Sequence, residues 1–151
     1  MMTDTAWNRL KQLAEQKRDD HARRLGQLTG ARNEAHDKLK LLLDYRRDYL
    51  ARLDEATRAG IDGESLRNFR TFLAQLERAI EQQTDAMTEA QQRVLAAQTA
   101  WRDEARRVDS YQKLDDRRAQ ACAKEEARRA QKMQDEFASR RRFSFLAGGD
   151  D

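Results

Sequence analysis

Proline is absent from this 151-residue chain, cysteine occurs once, and aromatic residues make up only 7%. Each scarcity excludes something. Without proline, no residue removes a backbone donor and forces a helix to kink. A lone cysteine, Cys122, cannot form an internal disulfide and fits a reducing compartment. Few aromatics beside 38% charged residues argue against a thick globular core and for an elongated shape. No run nears the roughly 18 apolar residues of a membrane span, and the N-terminus has no apolar signal core. A cytoplasmic protein without membrane insertion is the expectation.

Charge of one sign is missing too. Thirty basic residues are mixed with 27 acidic ones, for a net charge of +3. A basic arm could be drawn from Arg117, Arg118, Arg128, Arg129 and Arg140 to Arg142. Asp115, Asp116, Glu125, Glu126, Asp135 and Glu136 interrupt that arm, so nucleic acid is not an expected partner. No glycine-rich phosphate loop, zinc-ligand spacing or serine-centred elbow occurs. His21 and His36 lie fifteen apart with no cysteine nearby to complete a metal set. Adjacent acids such as Asp19-Asp20 and Glu125-Glu126 point to different helix faces. Cys122 reads as a small buried or half-buried residue. No catalytic, cofactor-binding or metal-binding residue is expected, and no enzyme.

What the chain does have is helical periodicity with one break, Ala59-Gly60-Ile61-Asp62-Gly63-Glu64-Ser65. Gly60 suits the left-handed position past a helix end. Asp62 can cap the next helix by accepting from the Ser65 backbone N–H, with Ile61 and Leu66 at the spacing of a hydrophobic staple. Upstream, Thr3 or Asp4 can cap a helix starting near Thr5. An alternating four-and-three spacing picks out Leu25, Leu28, Arg32, Ala35, Leu39, Leu42, Arg46, Tyr49, Leu53 and Ala56, eight of them apolar or aromatic. Trp7, Leu10, Leu13 and Ala14 join only through a stutter around Lys17 to His21. Gly26 and Gly30 fall on outward positions, so one continuous helix is expected across them.

Downstream, the same spacing gives Phe69, Leu73, Leu76, Ile80, Gln83, Met87, Ala90, Val94, Ala97, Trp101, Glu104, Val108 and Tyr111. The pattern is lost beyond Tyr111. Folding antiparallel about residue 61 sets residue i against roughly 123 − i, and the first helix runs out of chain. The expected fold is all-α: a long antiparallel two-helix coiled-coil hairpin whose C-terminal helix extends beyond its partner. A single domain is expected over residues 1–142, with helices at about 5–58 and 63–139 and a turn at 59–62. Residues 143–151 read as a flexible tail. Charge pairs Glu125–Arg129 and Lys132–Glu136 would support the second helix near its end.

Near the turn, apolar residues exceed what one two-stranded seam can hide. Tyr45, Leu43 and Leu50 flank the seam on the first helix, and Phe72 and Ala79 flank it on the second. Such flanks stay partly wet in a two-helix hairpin. They read either as a wider interface or as a partner site.

The chain resembles the FliJ family, a soluble component of the flagellar type III export apparatus, over roughly residues 7 to 140. The likeness is carried by Leu10-Lys11-Gln12-Leu13-Ala14-Glu15, Leu42-Leu43-Asp44-Tyr45, Tyr49, Gly60-Ile61 and Asn68-Phe69-Arg70-Thr71-Phe72-Leu73. It continues through Leu76 to Gln82 and Ala100-Trp101-Arg102, and ends at Lys132-Met133-Gln134-Asp135-Glu136-Phe137-Ala138. The resemblance implies a coiled coil that inserts into the hexameric export ATPase ring, contacts the export gate protein FlhA and recycles empty export chaperones. It implies a cytoplasmic location at the inner membrane of the flagellar base. Carried onto this chain, the gate-contacting positions are Leu42, Tyr45, Tyr49, Phe72, Leu76 and Ala79. ATPase contact would fall on the helix ends away from the turn. A stalk of a virulence-type secretion system is the alternative, and the match around Gly60-Ile61 favours the flagellar one.

Overall fold

A computed structural model describes residues 3–148. Two helices make the fold: α1 (Asp4–Ala59) and α2 (Gly63–Ala147). At the start of α1, Thr3 is extended and its hydroxyl oxygen accepts the Ala6 N–H at 3.2 Å. This satisfies one of the four donors that every helix start leaves free. Gly26 and Gly30 lie inside α1 without breaking it, on the exposed side.

Three residues separate the helices. Gly60 ends α1 with φ 92°, the one positive φ among the described residues, and its N–H donates to the Thr57 carbonyl at 3.4 Å. The Ser65 hydroxyl and backbone N–H both donate to the Asp62 carboxylate and hold its pKa below the ordinary value of 3.8. The Leu66 N–H then donates to the Asp62 carbonyl at 3.1 Å, which starts the α2 ladder. Asp62 is therefore the cap that the sequence pattern requires.

The chain divides into two units, residues 1–105 and 106–151, with the boundary inside α2. In the first unit the helices pack antiparallel. Tyr45 meets Phe72 and Tyr49 meets Phe69, while Gln83 reaches Ala35 farther along. All ten α1 seam positions from Leu25 to Ala56 are half-buried, and those of α2 from Phe69 to Glu104 are half-buried or buried. Ala14, Leu76, Ile80, Val94 and Ala97 are fully buried, and no buried residue is polar or charged among those described. Near the N-terminus the inward positions run Trp7, Leu10, Ala14, Arg18, His21 and Leu25. Two consecutive four-residue steps occur there, which is the stutter, and it leaves Leu13 outside at 49% exposure.

The second unit, taken alone, contains no buried residue among those described, and Glu126 to Gly148 are exposed throughout. Its helix lasts to Ala147, eight residues past the expected end near 139. Nothing before Gly148 opposes continuation, and the Gly148 N–H donates to the Ser144 carbonyl at 3.1 Å to close the last turn. Residues 143–147, expected as tail, are thus helical; 149–151 lie outside the described residues. Glu125 pairs with Arg129 at 3.5 Å and with Arg128 at 3.1 Å. Such exposed pairs add only about 0.2–0.5 kcal/mol each. Cys122 is exposed, not half-buried as its type suggested, because this stretch of helix has no packed face to hide it.

A Cβ built on Gly26 or Gly30 meets no atom within 4 Å. Gly26→Ala and Gly30→Ala should each stabilise the protein by about 0.5–1 kcal/mol, seen as a higher melting temperature. Lower melting would show that α1 bends at these glycines. The Asp62 cap sets a second expectation. Its pKa is lowered by folding, so its contribution is complete above 3.8 and lost as pH falls through the lowered value. Amide protection at Ser65 should fall over that acid range, and Asp62→Ala should abolish the dependence.

Candidate protein-interaction site beside the hairpin turn

Helical geometry advances about 100° per residue, so a residue one place before a seam position stands on the seam's flank. Tyr45 precedes Arg46, and Phe72 and Ala79 precede Leu73 and Ile80. Antiparallel packing puts these flanks on one side of the hairpin. The proof is the Tyr45–Phe72 ring contact, with centroids 6.1 Å apart and planes at 61°, an edge-to-face arrangement. Tyr49 comes from the seam itself. Its ring lies 4.6 Å from Phe72 and 5.1 Å from Phe69. Four rings from two helices thus form one continuous cluster. Edge-to-face and tilted pairs are each worth about 0.5–1.5 kcal/mol beyond their area.

Exposure sorts the six predicted residues. Tyr45 is 50% exposed and Phe72 37%, so both present ring surface to solvent. Leu42, Tyr49 and Ala79 are half-buried and border them. Leu76 is buried at 6% exposure and offers a partner little surface. Leu43 and Leu50 are also exposed, at 38% and 42%, and helical spacing sets them on the opposite flank of α1 from Tyr45. Leu41 was missed by seam reasoning. It is 69% exposed and stands four residues before Tyr45 on the same helix face, so i,i+4 extension from Tyr45 would have found it.

Polar residues occupy the seam farther from the turn. Gln83 Nε2 donates to the Ala35 carbonyl at 3.0 Å, and Arg32 donates to Gln91 Oε1 at 3.4 Å. These cross-helix bonds give the pairing a register that leucines alone would not enforce. No group of three or more His, Cys, Asp or Glu side chains positioned to hold a metal ion occurs among the described residues. What the patch can offer is an apolar, ring-faced surface of fixed geometry, suited to docking a protein.

The ring contacts separate packing from surface. Tyr49→Ala removes a ring wedged between Phe69 and Phe72 and should destabilise by about 2–4 kcal/mol. Tyr45→Ala removes a half-exposed ring with one ring partner and should cost about 1 kcal/mol. Chemical denaturation of the two variants measures both. Equal losses would contradict the division.

The sequence model described as "Flagellar FliJ protein" matches residues 5–144. The flagellar FliJ protein of Salmonella typhi is 38% identical over 131 residues, covering 87% of this chain and 89% of that protein. The flagellar FliJ protein of Escherichia coli (strain K12) is 36% identical over 131 residues, with the same coverage of each chain.

Proposed function

The chain belongs to the FliJ family of flagellar proteins, and on that premise we propose that it is a coiled-coil stalk of flagellar type III export. In this reading it couples the export ATPase ring to the membrane export gate FlhA and assists the recycling of export chaperones. It works from the cytoplasmic side of the inner membrane at the flagellar base. No helix of the described residues is long and apolar enough to cross a membrane, which agrees with a role beside the membrane. The flagellar names of both relatives favour this assignment over a virulence-type stalk.

One observation carries the gate contact. Tyr45 and Phe72 meet across the two helices yet remain 50% and 37% exposed. An exposed ring pair whose Phe72 packs on Tyr49 at 4.6 Å has less side-chain freedom to lose on binding, which is what an interface anchor needs. Leu42 and Ala79, half-buried beside the pair, extend its apolar surface. The ATPase contact is assigned to the helix ends away from the turn.

The test is the affinity of folded Tyr45→Ala and Phe72→Ala proteins for the export gate. An aromatic anchor contributes about 2 kcal/mol or more, so each variant should bind roughly thirtyfold more weakly or worse. Swimming should fall in parallel. Tyr45→Ala is the cleaner probe, since Phe72 also packs on Tyr49. Full gate affinity in a folded Tyr45→Ala protein would reduce the patch to packing alone.

A further inference from the structure

Residues 137–147 make up the last turns of α2, and none of their side chains is covered. Phe137 is 65% exposed, Phe143 75%, Phe145 85% and Leu146 80%. Arg140-Arg141-Arg142 is the sole run of three basic residues in the chain, and no acid occurs between Glu136 and Asp150. At about 100° per residue, Phe145, Leu146 and Phe143 share an arc roughly 160° wide. Arg140 and Arg141 stand just outside its two borders. Arg142 lies within it, where a long side chain can bury its stem and lift its charge clear. The Arg141 guanidinium sits 5.8 Å from the Phe137 ring centroid, and Arg141, Arg142, Phe145 and Leu146 line one shallow groove. Phe145 and Leu146 also lie past residue 144, where the family match ends.

We propose that this C-terminal arm is a peripheral membrane contact that lays its Phe143–Phe145–Leu146 face on an anionic lipid surface. The charge argument selects the occupant. Three arginines bracket and punctuate an apolar arc, which is the layout of a helix lying in the headgroup plane with its rings at the acyl boundary. Cations beside buried rings match a phosphate-bearing surface above a hydrocarbon layer. A purely polyanionic partner would satisfy the arginines and leave Phe143 and Leu146 in water. Eleven residues reach neither the length nor the apolarity of a span, so the contact is interfacial and reversible.

The experiment is sedimentation of the full-length protein with vesicles rich in phosphatidylglycerol, against vesicles of pure phosphatidylcholine. Two variants accompany it: Arg140→Gln, Arg141→Gln, Arg142→Gln combined, and Phe143→Gln, Phe145→Gln, Leu146→Gln combined. All six positions are exposed, so circular dichroism should show both variants as helical as the parent. The parent should partition to anionic vesicles and not to neutral ones, and less as salt is raised. Neutralising the arginines should weaken this on the order of a hundredfold, from the contribution of three basic residues at a charged surface. Removing the apolar face should weaken it roughly tenfold or more. Equal partition to both vesicle types, or full binding by either variant, overturns the proposal. So does binding to polyglutamate or DNA with none to vesicles, which would assign the arm to an acidic macromolecule. Gate affinity measured on the same variants is expected to be unchanged, so the two readings fail separately.

Discussion

The three-residue turn at Gly60-Ile61-Asp62 is the constraint from which the rest follows. Gly60 takes a left-handed backbone that a side chain would strain, and Asp62 starts the next ladder at once through its cap. So short a connection allows only antiparallel neighbours. It also fixes which residues meet. With the turn in place, Tyr49 must arrive opposite Phe69 and Phe72, and Ala35 opposite Gln83. The ring cluster exists because the turn brings the pair Tyr45 and Tyr49 against the pair Phe69 and Phe72, which lie 20 to 27 positions away in sequence.

The seam changes character with distance from that turn. Close to it, rings and leucines fill the interface and leave surplus at the flanks. Farther on, Gln83, Arg32 and Gln91 supply hydrogen bonds, and alanine and valine let the backbones approach. A two-stranded seam buries few side chains completely; here Val94, at 1% exposure, is the most enclosed. Stability in such a fold comes from many half-buried contacts, and no single site dominates it. Surface residues on the flanks can therefore be given over to binding at small cost.

Most of the first unit was legible in the chain because burial leaves a periodic trace. Every seam position from Leu25 to Ala56 is inward in the structure, and the stutter appears at Ala14 to Arg18, just before the place expected. The end of α2 was not legible for the opposite reason. From Glu126 onward nothing is buried, so apolar spacing carries no information there and only local preference decides. Residues 143–151 read as a flexible tail, yet no residue before Gly148 stops the helix. Cys122 was misjudged on the same ground. At the ring cluster, the flank positions of Tyr45 and Phe72 followed from spacing. Leu76 is enclosed as its seam position requires, and the exposed Leu41, four residues before Tyr45, lies within reach of the same helical spacing.

The antiparallel register is the central claim, since the ring cluster and the patch on it exist in no other alignment. Short-reach cross-linking tests it most directly. In a Cys122→Ser background, Ala35→Cys paired with Gln83→Cys should give an intramolecular cross-link with a short bifunctional maleimide. A second pair, Ala35→Cys with Ala97→Cys, is displaced by two heptads along α2 and should give none. Efficient linkage of the displaced pair, or linkage only between separate molecules, would contradict the hairpin register.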